Sequence, residues 1–226
     1  MKSLKMNRLA GLMMLSSSVL ASDVFAGEQQ DASNCKTGAV CRKLEASNWS
    51  LEAGSGVLIG NVRDSYLDSY TLVPAIVTAS YQFDHVYLQD FWGGKLRGKI
   101  EPLFSGYYMR VLNSGSEHYI AGFHIGGRYN FEKTVIGVIP FFGCTVGGAD
   151  ADAHQFYAKG DAHGLGQDFN FNFAVIAGFR YDISERFFIR LYGEYTHYSN
   201  AGLSEPTHRN KAIDNAGPIL SFGMHF

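Results

Sequence analysis

The chain has 226 residues with 19 basic and 21 acidic side chains and a formal net charge of -2, which excludes the broad basic field of a nucleic-acid-binding protein. Aromatics make up 14% of it, glycine occurs 26 times and only 18% is charged, a balance that suits an all-β chain with aromatic girdles and tight turns. A mean hydropathy close to zero fits alternating strands whose apolar and polar faces cancel, in a membrane barrel or in a soluble β-sandwich.

At the start, Lys2, Lys5 and Arg8 precede an apolar stretch from Leu9 to Ala21, and Val24-Phe25-Ala26 before Gly27 fits cleavage after Ala26. Residues 1–26 therefore read as a secretory signal peptide, with a cut after Ala21 as second choice. A membrane anchor is disfavoured because the apolar core is shorter than the ~20 residues that span a bilayer. Residues 27–47 read as a polar periplasmic segment. It carries Cys35 and Cys41, close enough for a small disulfide loop in an oxidising compartment. Cys144 lies in an apolar strand-like run and reads as a small packing residue. The cysteines lack a paired CxxC spacing and the histidines are scattered, so no metal site is expected.

From 48 to 226 the chain reads as one all-β domain. Eight alternating runs fall near 48–60, 70–82, 95–110, 119–131, 135–147, 169–182, 186–199 and 213–226, each long enough to cross a membrane at barrel tilt. In the fourth, Tyr119, Phe123, Ile125 and Tyr129 oppose His124, Arg128 and Asn130. In the sixth, Phe169, Phe171, Phe173 and Phe179 oppose Asn170, Asn172 and Arg180. A soluble protein would bury such an aromatic face under a second layer; a bacterial outer-membrane barrel turns it to lipid. Short turns at 130–134 and 182–185 alternate with longer segments at 148–168 and 200–212, as short periplasmic turns and long external loops do. The stretch 83–94 is an exception, long for a periplasmic turn. In the last run Leu220, Phe222, Met224 and the terminal Phe226 share a face, similar to the C-terminal signature of outer-membrane barrels. The predicted fold is an eight-stranded antiparallel transmembrane β-barrel with its N-terminus in the periplasm.

The seventh run carries the chemistry. Phe187, Ile189, Leu191, Tyr195, His197 and Ser199 share its lipid face, whereas Arg190, Tyr192, Glu194 and Thr196 point inward. With the N-terminus inside, His197 and Ser199 fall at the external end. A serine hydroxyl becomes a useful nucleophile once a neighbouring base takes its proton. A pair on the outside of a barrel suits a lipid held in the membrane better than a soluble substrate. Ordinary interfacial polar residues at a strand end are the bland alternative.

The stretch His197-Tyr198-Ser199-Asn200-Ala201-Gly202-Leu203 resembles the His-x-Ser-Asn segment of the PagL-type lipid A 3-O-deacylases, and the resemblance is strongest over 186–226. It implies a barrel esterase that removes a 3-O-linked acyl chain from lipopolysaccharide, with Ser199 as nucleophile and His197 as base. In the family pattern a Pro follows, then an Asn, and four residues later a Glu. Here Pro206 is followed by the insertion Thr207-His208-Arg209, and Asn210-Lys211-Ala212-Ile213-Asp214 resumes the pattern with Asp in place of Glu. Asp214 is thereby the candidate acid, one methylene shorter than the family residue, with Glu205 in the loop and inward-facing Glu194 as rivals. Asn210 matches the family Asn and is the candidate oxyanion donor, with the backbone N–H near Gly202 as a second and Asn200 as a support for the loop. Arg209 and Lys211, with His208, form a small basic group that faces either lipid A phosphates or solvent.

The expected protein is an integral outer-membrane serine esterase acting on lipid A, exported by a cleaved signal peptide, without cofactor, metal or nucleic-acid partner; a homodimer stays open. The non-enzymatic alternative is an OmpA-like or OmpX-like surface barrel, which inward orientation of His197 and Ser199 would favour. A third reading, a phospholipase-type or calcium-dependent lipid A esterase of another barrel family, is disfavoured by the lack of an evident carboxylate cluster for the ion.

Overall fold

A strand rhythm that never resolves into a second layer finds its backbone partners by closing on itself. The computed structural model describes residues 48–62, 69–112, 117–132, 134–153, 165, 167–203 and 212–226. The predicted signal peptide 1–26, the segment 27–47 and the Cys35 and Cys41 pair lie outside the described residues. The strands are β1 (Trp49–Gly56), β2 (Leu58–Val62), β3 (Ser69–Tyr81), β4 (Val86–Tyr87), β5 (Gly98–Val111), β6 (Tyr119–Phe131), β7 (Ile139–Ala151), β8 (Phe169–Asp182), β9 (Phe187–Ser199) and β10 (Ile213–His225).

Antiparallel pairing runs from β3 through β5 to β10, and β1 and β2 join β10 back to β3. β1 and β2 are one stave. Val57 between them donates its N–H to the Pro218 carbonyl at 3.2 Å, but proline has no N–H to return, and the ladder with β10 lapses for two positions, Val57/Pro218 and Leu58/Gly217, without losing register. With β4 only an appendage on the end of β5, the ring has eight staves, as the sequence rhythm predicts. The Phe226 N–H donates to the Trp49 carbonyl at 3.2 Å, so both ends of the barrel segment lie at one rim, the one that the sequence reading expects to face the periplasm.

The two faces follow the predicted parity. Phe169, Phe171, Phe173 and Phe179 of β8 are exposed on the outside while Asn170, Asn172, Ile176 and Arg180 are not. Among the described residues no protein layer lies over this wall, and an aromatic outer face of this kind is what an outer-membrane barrel turns to bilayer hydrocarbon. Cys144 departs from expectation: it is exposed on the outer face of β7 rather than packed inside.

Inside, the periplasmic half is ionic. Arg128 meets Glu52 at 2.7 Å, Arg190 meets Glu101 at 2.9 Å and also bonds Glu52, and Ser80 and Asn130 donate to Glu101 at 2.5 and 2.7 Å. Two acids against two bases leave the buried cluster neutral. The external half instead mixes apolar side chains, Leu58, Leu72, Met109, Ile120, Tyr198 and Ile213, with buried uncharged polar ones, Asn170, Asn172, Thr196 and Asn215. A cavity of about 20 Å³, lined by groups that include Glu52, Arg128 and Glu194, has room for a single water. Side chains thus fill the middle of the lumen among the described residues, and a larger cavity of about 390 Å³ opens at the rim lined by Gln82, Arg180, Asp182 and His225. Removing one member of the cluster strands its partners: Arg190→Ala is expected to cost about 3–5 kcal/mol, read as a lower urea midpoint in vesicles. An unchanged midpoint would show that the cluster does not hold the barrel together.

Two strands lie three or more residues away from the predicted runs at one or both ends. β5 starts at Gly98, not 95, and β7 spans Ile139–Ala151 rather than 135–147. Val135 and Val138 exchange N–H···O=C bonds at 2.9 and 3.1 Å around Ile136 and Gly137, whose φ values are 53° and 78°. Two successive left-handed residues make a hairpin turn that matches strand twist. β-branched residues that read as strand are here the turn itself.

Candidate active site

The site lies on the outer wall, at the end of β9 and the start of β10, opposite the rim that holds Trp49 and Phe226. β9 alternates so that Tyr195, His197 and Ser199 face outward while Glu194, Thr196 and Tyr198 are buried in the lumen. Two residues along a strand are separated by about 6.7 Å, a gap an imidazole can bridge toward a hydroxyl. Phe173 of β8 stands opposite His197 on one side, its ring 5.2 Å from the imidazole centroid. On the other side, the register of β10 puts Asp214 directly opposite His197.

That register closes the gap left by the shorter acid. Residues directly opposite in an antiparallel pair have Cβ atoms about 4.5–5.5 Å apart, close enough for an aspartate to reach across. Nδ1 of His197 and Oδ1 of Asp214 are 2.6 Å apart, with the two side chains 20% and 33% exposed. The hydroxyl of Tyr195 donates to the same Oδ1 at 2.7 Å. Parity in the sequence puts Tyr195 on this face, and the sequence alone assigns it no role. The signal available was its parity with His197 and its place two residues before it.

Beyond Ser199 the chain turns sharply. Ala201 and Gly202 have φ values of 54° and 81°, so two left-handed residues in succession lead the chain away from the strand. The Ala201 N–H donates to Ser199 Oγ at 3.2 Å. Asn200 points into the barrel mouth and is fully buried; its Oδ1 accepts the Gly202 N–H at 3.0 Å and its Nδ2 donates to the Leu165 carbonyl at 2.9 Å. The Gly202 amide, one of the two predicted oxyanion donors, is thus bonded to Asn200. Asn200 ties the turn to the β7–β8 connection, where the Leu165 N–H in turn donates to Glu117 at 2.9 Å.

Of the predicted acids, Glu194 faces the lumen, away from His197. Asn210, Glu205, His208, Arg209 and Lys211 lie outside the described residues. Among the described residues no group of three or more His, Cys, Asp or Glu side chains is placed to hold a metal ion. The arrangement sets an imidazole braced by a carboxylate beside a serine hydroxyl on the same outward face of β9.

The family model described as lipid A 3-O-deacylase (PagL) matches residues 75–222, a span that contains His197, Ser199 and Asp214. No curated protein matches the chain. Among solved structures, the chain is similar to the outer membrane enzyme PagL, at 19% identity over 76% of this chain and 98% of that one with a TM-score of 0.47. It is similar to Neisserial surface protein A (NspA) at 12% identity over 80% and 98%, TM-score 0.52, a likeness of fold. The outer membrane protein OprG from Pseudomonas aeruginosa matches at 14% identity over 80% and 97%, TM-score 0.36.

Proposed function

The chain belongs to the lipid A 3-O-deacylase (PagL) family, and on that premise we propose that it is a serine esterase that hydrolyses the 3-O-linked acyl chain of lipid A through Ser199, His197 and Asp214. Membership makes it a lipid A deacylase of the outer membrane; the residues and the ester position are our reading. The observation that carries it is the 2.6 Å bond between His197 Nδ1 and Asp214 Oδ1 on the lipid face, one strand position from Ser199's neighbour Tyr198.

With Nδ1 bonded to Asp214, Nε2 is the ring nitrogen for proton transfer. Ser199 Oγ attacks the ester carbonyl as Nε2 takes its proton, and Asp214 stabilises the imidazolium. The tetrahedral oxyanion needs donors; Asn210 is our candidate, with Asn200 and Gly202 shaping the turn that presents the nucleophile. Collapse expels the sugar hydroxyl, which recovers the proton from His197, and leaves the acyl chain on Ser199. A water entering from the external rim then adds to the acyl-enzyme, giving its proton to His197, and the fatty acid departs as Ser199 is reprotonated. Arg209 and Lys211 are placed in this reading against the lipid A phosphates. Export by cleavage after Ala26 completes it.

Inward orientation of His197 and Ser199 would favour the surface-barrel alternative, and their outward parity supports the esterase instead. Mass spectrometry of lipid A from cells with and without the protein tests the reading. The expected product is lipid A lacking one ester-linked acyl chain, with the matching free fatty acid released. Unaltered lipid A in cells that hold the folded barrel would reject it.

A further inference from the structure

The connection between β3 and β5, too long for a periplasmic turn, does not hang below the barrel. It first continues the sheet: the Phe83 N–H donates to the Ile100 carbonyl at 2.9 Å, and β4 pairs with Gly98 and Lys99 of β5. It then coils through successive turns, in which the amides of Phe91, Gly93, Gly94 and Arg97 donate to the carbonyls of Leu88, Asp90, Phe91 and Gly94. The backbone thereby satisfies these groups from within, as a segment leaving water must.

The coil is fastened to the outside of the wall. Tyr129, on the outer face of β6, donates its hydroxyl to the Leu96 carbonyl at 2.6 Å. Its ring crosses Gly98, where an added Cβ would sit 2.6 Å from a ring carbon, so a glycine is needed for the crossing. The same ring packs with Phe131 and Phe142 at centroid distances of 5.3 and 5.7 Å, within the lipid-facing aromatic row. The coil is therefore continuous with the barrel's membrane surface. From it Leu88, Phe91 and Trp92 project into the surroundings, with Trp92 73% exposed and its ring stacked on Phe91 at 5.9 Å. Leu88 and Trp92 both hold a φ of 53°, a conformation L side chains rarely adopt. The exposed Asp90 and Lys95 flank the apolar group with opposite charges, so no electrostatic preference overrides the apolar one.

We propose that residues 88–96 form an interfacial lipid-binding element, in which Phe91 and Trp92 insert among the phospholipids of the inner leaflet and fix the barrel's depth in the membrane. Tryptophan suits this position because its ring is apolar and its N–H seeks the wet headgroup level.

The chain has two tryptophans, so Trp49→Phe leaves Trp92 as the only one. The protein is refolded into phosphatidylcholine vesicles that carry brominated lipid in both leaflets, which makes the direction of insertion irrelevant. Trp92 emission is expected to fall by about half or more with bromines at shallow acyl positions and to resist aqueous acrylamide. Full acrylamide quenching with no bromine effect would overturn the proposal, since the coil would then lie in water. Shielding from both quenchers would overturn it too, since a protein surface would then cover Trp92. Tyr129→Ala, which unfastens the coil, is expected to lower the bromine quenching of Trp92. Unchanged quenching would overturn the fastening role given to Tyr129. The reciprocal variant Trp92→Phe keeps Trp49, on the outer wall of β1, to report that the barrel has inserted.

Discussion

Replacing Ser199 by Ala, or His197 by Asn, is expected to abolish deacylation, with a loss of roughly ten-thousand-fold or more in rate, while the barrel folds and inserts as before. The two halves of that expectation have different origins. The rate loss follows from chemistry: without Oγ there is no acyl-enzyme, and without Nε2 nothing takes the serine proton. The folding half follows from position. Both side chains lie on the outer wall, while the groups that close the lumen, Glu52, Glu101, Arg128 and Arg190, are on the opposite face of the staves. Fatty-acid release from purified lipopolysaccharide measures the first, and the heat-dependent gel shift of a folded barrel measures the second. Release by Ser199→Ala at the normal rate would remove the nucleophile from the mechanism. Loss of folding in both variants would instead mean that the pair has a structural role that its outward orientation does not suggest.

Parity was the part of this molecule most legible in its sequence. A period of two is a local property, so the faces of β6, β8 and β9, including the outward pair His197 and Ser199, could be read from consecutive residues. The motif supplied the chemistry on that face. Turns built from strand-type residues were illegible: Val135, Ile136 and Val138 have the composition of a strand, and only the left-handed Ile136-Gly137 pair makes them a turn. Contacts that arise from barrel closure were illegible as well. Arg128 and Arg190 read as inward, but their partners Glu52 and Glu101 come from distant staves and meet them only once β1 and β10 join. The pairing of Asp214 with His197 lies between these cases, because a connection as long as 200–212 leaves register undetermined by length alone.

The acid tests that register directly. Asp214→Asn is expected to preserve insertion and substrate binding and to lower the rate by about 10³–10⁴-fold, because a neutral amide neither fixes the tautomer nor stabilises the imidazolium. Asp214→Glu is expected to keep measurable but reduced activity: the added methylene must fold back, since the aspartate already reaches Nδ1 from the directly opposing position. Tyr195 extends the argument by one bond. Its hydroxyl shares Oδ1 of Asp214 with the imidazole and acts as a positioning residue, so Tyr195→Phe is expected to lower kcat about tenfold, the worth of a hydrogen bond to a charged group, with KM unchanged. A merely structural tyrosine would leave kcat alone or change both. Glu205→Gln is expected to be nearly silent on the same assay. The reverse ranking, with Glu205→Gln inactive and Asp214→Asn normal, would move the acid into the loop and reduce the bond between His197 and Asp214 to an ordinary cross-strand contact.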